Sequence, residues 1–286
     1  MASHLRPPYR LKLRSGSLEL GSRTLLMGIL NVTPDSFSDG GRFFEFESAL
    51  RQARNLISAG ADILDLGGES TRPYSESAPV DEELRRVIPL IEAVRRESAI
   101  PISIDTTKAE VARQAIEAGA DIINDVSALQ FDGSMAEVAA RCGAPVILMH
   151  MQGTPRSMQE APTYTSLFSE IITFLEERIQ YAVSRGVSRE QIVVDPGIGF
   201  GKTVSHNLRL VQRLELFHCL DRPVLLGASR KRFIGAILDR DVTERETGAA
   251  VVHSFAIAAG VHILRVHDVA LHRQVALMGD AIACAC

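Results

Sequence analysis

Cysteine is scarce: the chain has only Cys142, Cys219, Cys284 and Cys286, with no CxxC pair and no metal-ligand spacing among them. A cysteine-held metal is therefore not expected, and a reducing, cytoplasmic setting is. Nor is there an excess of basic charge. With 31 Lys and Arg against 35 Asp and Glu, the formal charge is −4, so no global field would draw nucleic acid and any anion site must come from local placement. The most apolar late stretch, residues 249–264, is interrupted by His253 and His262 and is too short to span a bilayer. Residues 1–14 carry Arg6, Arg10, Lys12 and Arg14 without an apolar core of signal-peptide length, so secretion is not expected. A phosphate-loop ATPase is excluded as well. VVDPGIGFGKT at 193–203 comes near the GxxxxGK[ST] template, but Pro196 stands where its first glycine belongs.

What is present suits a large buried core: 46% of the 286 residues are apolar. That length allows two average domains or one α/β barrel of ~250 residues. Strand-like apolar runs occur at 25–30, 62–66, 101–105, 121–124, 145–149, 192–195, 223–227 and 262–266, and helical stripes separate them. Leu84, Val87, Ile88, Ile91 and Val94 follow an acidic first turn (Asp81, Glu82, Glu83), with Pro89 expected to kink that helix. Phe168, Ile171, Ile172, Leu175 and Ile179 mark another, ending near Gly186. Residues 9–20 alternate about Ser15-Gly16, as a hairpin would.

An internal echo links distant parts of the chain. AGADILD, AGADIIND and AAGVHILR each place a polar residue (Asp65, Asn124, Arg265) five positions after a helix-ending glycine (Gly60, Gly119, Gly260). The strands also lack strict alternation, as expected when both faces of a parallel sheet are covered. The expected architecture is a single (β/α)8 TIM barrel over residues 1–286, with 1–24 as an N-terminal β-hairpin extension and the chemistry at the carboxyl ends of the strands. A doubly wound open sheet is the alternative, with its ligand at a switch point.

The strand ends then supply the candidate site. Asp105, Asn124 and Asp195 are placed to read the N–H groups of a flat, pterin-like ring, with Lys231 as the complementary donor. Asn31, Arg72, Arg265 and His267 form a diphosphate-gathering set, because guanidinium grips phosphate oxygens in two-pronged fashion and Asn31 offers a neutral oxygen suited to Mg²⁺. The glycines Gly197, Gly199 and Gly201 let the backbone turn tightly and present Phe200 as a wall for an aromatic second substrate.

Taken together, MGILNVTPDSFSDGG, DLGGESTRP, ISIDTTK, IINDVSA, LMHMQGTP, DPGIGFGKT, GASRKRFIG and RVHD resemble the dihydropteroate synthase family, in the family's order, from about residue 25 to 269. The resemblance implies condensation of 6-hydroxymethyl-7,8-dihydropterin diphosphate with p-aminobenzoate, with Mg²⁺, in a homodimer joined through its last helices and targeted by sulfonamides. It assigns Asp105, Asn124, Met149, Asp195 and Lys231 to the pterin, and Asn31, Arg72, Arg265 and His267 to diphosphate and metal. Phe37, Thr71, Pro73, Phe200 and Lys231 are assigned to p-aminobenzoate. Arg232 stands where some members carry a serine that meets the p-aminobenzoate carboxylate. The expected mechanism is early loss of pyrophosphate, with Asp105, Lys231, Arg265 and His267 as the catalytic set and the loops at 31–42 and 69–78 closing over the site. A related barrel that transfers a methyl group from methyltetrahydrofolate is the nearest rival. A pterin-binding sensor and a Schiff-base aldolase using Lys231 are more distant ones.

Overall fold

A computed structural model describes residues 6–14, 16–32, 41–69, 78–154, 158 and 160–285; side chains of 41–45 also lie outside the description. The chain opens with an antiparallel pair, β1 (Tyr9–Leu13) and β2 (Gly16–Leu20), in the register Tyr9↔Leu20 to Leu13↔Gly16. Eight parallel strands follow: β3 (Leu25–Asn31), β4 (Ile63–Gly67), β5 (Ile102–Asp105), β6 (Ile122–Asp125), β7 (Val146–Met149), β8 (Ile192–Asp195), β9 (Leu225–Leu226) and β10 (Ile263–Val266). They are ordered β8-β7-β6-β5-β4-β3-β10-β9. A parallel bridge between Val194 and Val224, with Val194 N–H donating to Pro223 O at 2.9 Å, joins the two ends and closes the barrel. The (β/α)8 expectation stands, and the open doubly wound alternative falls with that closure.

Helices alternate with these strands: α1 (Gly41–Ser58), α2 (Val80–Glu97), α3 (Ala109–Ala118), α4 (Met135–Cys142), α5 (Leu167–Ser184), α6 (Val204–Gln212), α7 (Arg232–Leu238), α8 (Glu246–Ala258) and α9 (Val269–Ala283). The helix α2 runs through Pro89, with Asp81, Glu82 and Glu83 in its first turn, where the helix dipole favours negative charge. Gly60, Gly119 and Gly260 all hold positive φ (96°, 122° and 83°) just past a helix end, so the three echoed segments share one turn geometry.

The barrel's two apolar layers follow from the two-residue period of each strand. Outward residues such as Leu26, Leu64, Ile104, Ile123, Leu148, Val194 and Leu264 pack with the helices in the larger core. Inward residues form a separate cluster: Leu25, Met27, Ile63, Ile122, Ile147, Val193, Leu225 and Ile263, joined by Leu11, Leu13 and Leu20 of the hairpin. The hairpin therefore stops the amino-terminal end of the barrel with leucine side chains. Gln191 pins it, accepting from Lys12 N–H at 2.8 Å and donating to Lys12 O at 2.7 Å. The opposite, carboxyl-terminal end is where polar side chains are left.

Candidate active site

Two positions further along the inward face most of these strands turn polar. Ile63 is followed by Asp65, Ser103 by Asp105, Ile122 by Asn124, Ile147 by Met149, Val193 by Asp195 and Ile263 by Arg265. Because alternate residues of a strand share a face, these side chains line one mouth above one apolar floor. Asp65, Asp105, Asn124, Met149 and Asp195 are all buried there.

Arg265 lies at the centre. Its Nε donates to Asp65 Oδ2 at 2.6 Å and its Nη2 to Asp105 Oδ2 at 2.7 Å. Burial works against the guanidinium charge, yet Asp65 and Asp105 raise its pKa above the ordinary value. Asn124 Nδ2 approaches both oxygens of Asp65 at 3.3 and 3.4 Å, so Asp65 joins β4, β6 and β10. Asp268, three positions on, caps α9, accepting from Leu271 N–H at 2.9 Å. The neighbouring Asp125 turns away from the mouth and holds the following turn through Ser127 and Leu129 N–H, both at 2.8 Å.

One oxygen in this network is left over. Asp105 Oδ1 is buried and has no hydrogen-bond partner, although Oδ2 is paired with Arg265. A bare acceptor in such a place is costly unless a ligand donates to it. Burial pushes Asp105 up to about 7 against the pull of Arg265, with Asp65, Glu83 and Asp125 pushing the same way. Burial likewise lifts Asp195 to about 6, while Gly197 N–H, Lys231, Lys202 and Arg265 restrain it; that N–H donates to Asp195 Oδ1 at 2.7 Å.

On the other side, Lys231 stands at the N-terminus of α7 with its Nζ 3.8 Å from the centre of the Phe200 ring. Burial and the positive charge of Arg265 lower it to about 8, and Asp195 and Asp105 oppose the shift. A cation held over a ring face gains from the ring's quadrupole. His267 Nδ1 lies 2.9 Å from Ser229 Oγ, so the last two rim segments are tied together. Arg232 is exposed at the first position of α7. Asn31 ends β3 in register with Gly67, and its Oδ1 is 3.4 Å from where a Cβ on Gly67 would lie.

The mouth thus gathers Asp105, Asn124, Met149, Asp195, Lys231, Phe200, Asn31, Arg265 and His267. Phe37, Thr71, Arg72 and Pro73 lie outside the described residues, as does most of the two loops that carry them. Sequence reasoning gave no site role to Asp65, which the echo with Asn124 and Arg265 marked, nor to Ser229. It also passed over Lys202, a fully sequestered lysine whose ammonium lies 2.9 Å from His150 Nδ1. Such pairings join residues far apart in the chain and leave no local signal.

Comparison with known proteins agrees with this geometry. Residues 27–267 match the Pterin binding enzyme family. A dihydropteroate synthase of Synechocystis sp. is 49% identical over 263 residues, 92% of this chain and 91% of that protein. The structure of Xanthomonas albilineans dihydropteroate synthase with 4-aminobenzoic acid superposes with a TM-score of 0.91 at 42% identity, covering 98% of this chain and 100% of the other. The same enzyme in complex with 7,8-dihydropteroate gives a TM-score of 0.87 at 40% identity, covering 97% and 100%. By fold, strand-end residues and sequence, the chain belongs to the dihydropteroate synthase family of pterin binding enzymes.

Proposed function

We infer that the chain condenses 6-hydroxymethyl-7,8-dihydropterin diphosphate with p-aminobenzoate, giving 7,8-dihydropteroate and pyrophosphate in folate biosynthesis. The observation that carries this reading is the unpartnered, buried Asp105 Oδ1 beside Asn124 and Asp195, under a cationic rim. Asp105, Asn124 and Asp195 accept from the ring N–H and amino groups of the pterin, and Met149 lines the pocket. Arg265 and His267, with Asn31 and Arg72, take the diphosphate. Phe200 and Lys231 form a wall for p-aminobenzoate, to which Phe37, Thr71, Pro73 and Arg232 are assigned by motif. Among the described residues no group of three His, Cys, Asp or Glu could hold a metal alone. Asn31, at the end of β3 with its neutral side-chain oxygen beside Gly67, would be the residue to hold Mg²⁺. When bound, the ion neutralises charge on the departing pyrophosphate.

The chemistry needs no protein nucleophile. The bond from the pterin methylene carbon to the diphosphate oxygen breaks and its electron pair leaves with pyrophosphate. Conjugation with the ring stabilises the cationic carbon, and the ionised Asp105 favours that charge. The arylamine lone pair then forms the new C–N bond, and its proton passes to water. In a coupled pyrophosphate assay, release is expected only with both substrates present, together with dihydropteroate; no pyrophosphate above background would refute the assignment.

Assembly as a homodimer is part of the same reading. Val251 and Phe255 of α8 and Leu277, Met278 and Ile282 of α9 are large, apolar and exposed on adjacent helices, and an apolar patch of that kind marks an association surface. In sedimentation velocity the wild type is expected at twice its 31.2 kDa chain mass, and Phe255→Glu at the monomer mass. A monomeric wild type overturns the dimer. A cytoplasmic setting is consistent with the exposed free thiols of Cys142, Cys219 and Cys284, and none of the described helices is long and apolar enough to cross a membrane.

A further inference from the structure

We propose that Lys202 is a positioning residue for the p-aminobenzoate half of the reaction, its ammonium fastening the loop at 197–201 to the end of β7 so that Phe200 supports Lys231. The inference rests on Phe200 and Lys231 forming the p-aminobenzoate wall. Lysine is rarely sequestered from water, because its charge must then be satisfied inside the protein. Lys202 is only 3% exposed. Its Nζ donates to His150 Nδ1 at 2.9 Å, to Phe200 O at 2.9 Å and, more weakly, to His150 O at 3.4 Å. Burial lowers Lys202 to about 7 against the pull of Asp195; in its charged form all three donors are used, and every acceptor belongs to the loop or to the residue that follows β7.

His150 is built to be that acceptor. Burial and the Lys202 charge lower its pKa to about 2, so the ring is neutral, and acceptance at Nδ1 puts its proton on Nε2. Phe174 packs edge-on against the same ring, 4.9 Å between centroids at 84°. The loop lies so close to this segment that a Cβ on Gly197 would fall 1.9 Å from His150 O, and one on Gly201 2.6 Å from Gln152 O. Other bonds brace it from outside: Gly199 N–H donates to Asn207 Oδ1 at 2.8 Å and Tyr164 Oη to Gly201 O at 2.8 Å.

The braced loop in turn shapes Lys231. A Cβ on Gly199 would sit 3.0 Å from Lys231 Cδ, so the backbone there underlies the lysine stem while the Phe200 ring meets the ammonium. A small displacement of this loop moves both surfaces of the p-aminobenzoate wall at once. It leaves Asp105, Asn124 and Arg265 on their strands and reaches the pterin set through one bond, Gly197 N–H to Asp195 Oδ1 at 2.7 Å.

Lys202→Met keeps the aliphatic stem and removes the ammonium. Kinetics should show KM for p-aminobenzoate raised roughly tenfold, with KM for the pterin diphosphate and kcat each changed less than about threefold. A general structural role would instead depress all parameters together, and that outcome, or an unchanged p-aminobenzoate KM, overturns the proposal. In a Phe200→Ala background the same substitution should add little, because both act on one wall. His150→Leu removes the nitrogen acceptor while retaining Lys202 and should give the same selective rise, so the idea stays testable if Lys202→Met does not fold; an unchanged KM there also overturns it. If Phe200→Ala itself leaves the p-aminobenzoate KM unchanged, the site assignment fails; if it raises KM and Lys202→Met does not, only the role of Lys202 fails.

Discussion

Replacing Arg265 by alanine is expected to lower kcat by roughly 10³-fold, the scale on which removal of a positioned electrostatic contact to a transition state acts. Two effects combine in that loss. In the proposed mechanism the guanidinium neutralises the departing diphosphate, and it also holds Asp65 and Asp105, both buried, at 2.6 and 2.7 Å. Without it those carboxylates face each other uncompensated, so stability should fall as well, by about 3–5 kcal/mol, as when one partner of a buried ion pair is removed. Urea unfolding measures that part. Adding Asp65→Asn should recover much of the stability and none of the turnover, which separates the two contributions. A rate for Arg265→Ala near that of the wild type would remove the residue from the mechanism.

Asp105→Asn should act in the opposite sense on stability. In the folded chain Asp105 is raised from 3.8 to about 7, chiefly by burial. The folded state therefore binds this proton more tightly than the unfolded state, and the group's contribution to stability declines as pH rises from about 4 to about 7. Asparagine has no such proton, so the stability of the variant relative to wild type should grow through that window and level off above it. Activity should move the other way, with kcat/KM for the pterin diphosphate reduced roughly 10²- to 10³-fold at pH 8. In the wild type, kcat/KM for the pterin diphosphate should fall below about pH 7 as Asp105 takes up a proton in the free enzyme. Thermal unfolding and steady-state rates across pH 4–9 test all three statements; an unaltered slope of stability with pH would show that Asp105 is not the group responsible.

Much of this architecture was legible in the residue order. Each of the eight apolar runs overlaps a barrel strand, and the echo of Gly60, Gly119 and Gly260 marked Asp65, Asn124 and Arg265, which do share one rim. Short parallel strands announce themselves by continuous apolar character, and helix-ending glycines by their backbone freedom. The strand at 223–227 contracts to Leu225–Leu226, since Pro223 has no N–H to donate and Gly227 adds no side chain to the packing. What stayed hidden was pairing at long range. Nothing in DLGGES says that Asp65 will meet an arginine 200 residues away, or that Lys202 will prefer His150 to a phosphate. Nor does the dipeptide Asn124-Asp125 say which member turns inward; the strand register decides it.

The hairpin stopper has a further consequence for selectivity. With leucines filling one end, the barrel is a cul-de-sac, and a ring bound on Asp105, Asn124 and Asp195 as proposed would face an apolar floor with no water to stand in for a missing donor. An analogue that swaps one ring N–H for C–H would leave a carboxylate bare there, and sites that bury their polar partners in this way reject such compounds by factors of roughly 10⁴ or more. On the proposed reading, discrimination among heterocycles would be set partly by Leu11, Leu13 and Leu20, side chains at the far end of the barrel from the mouth.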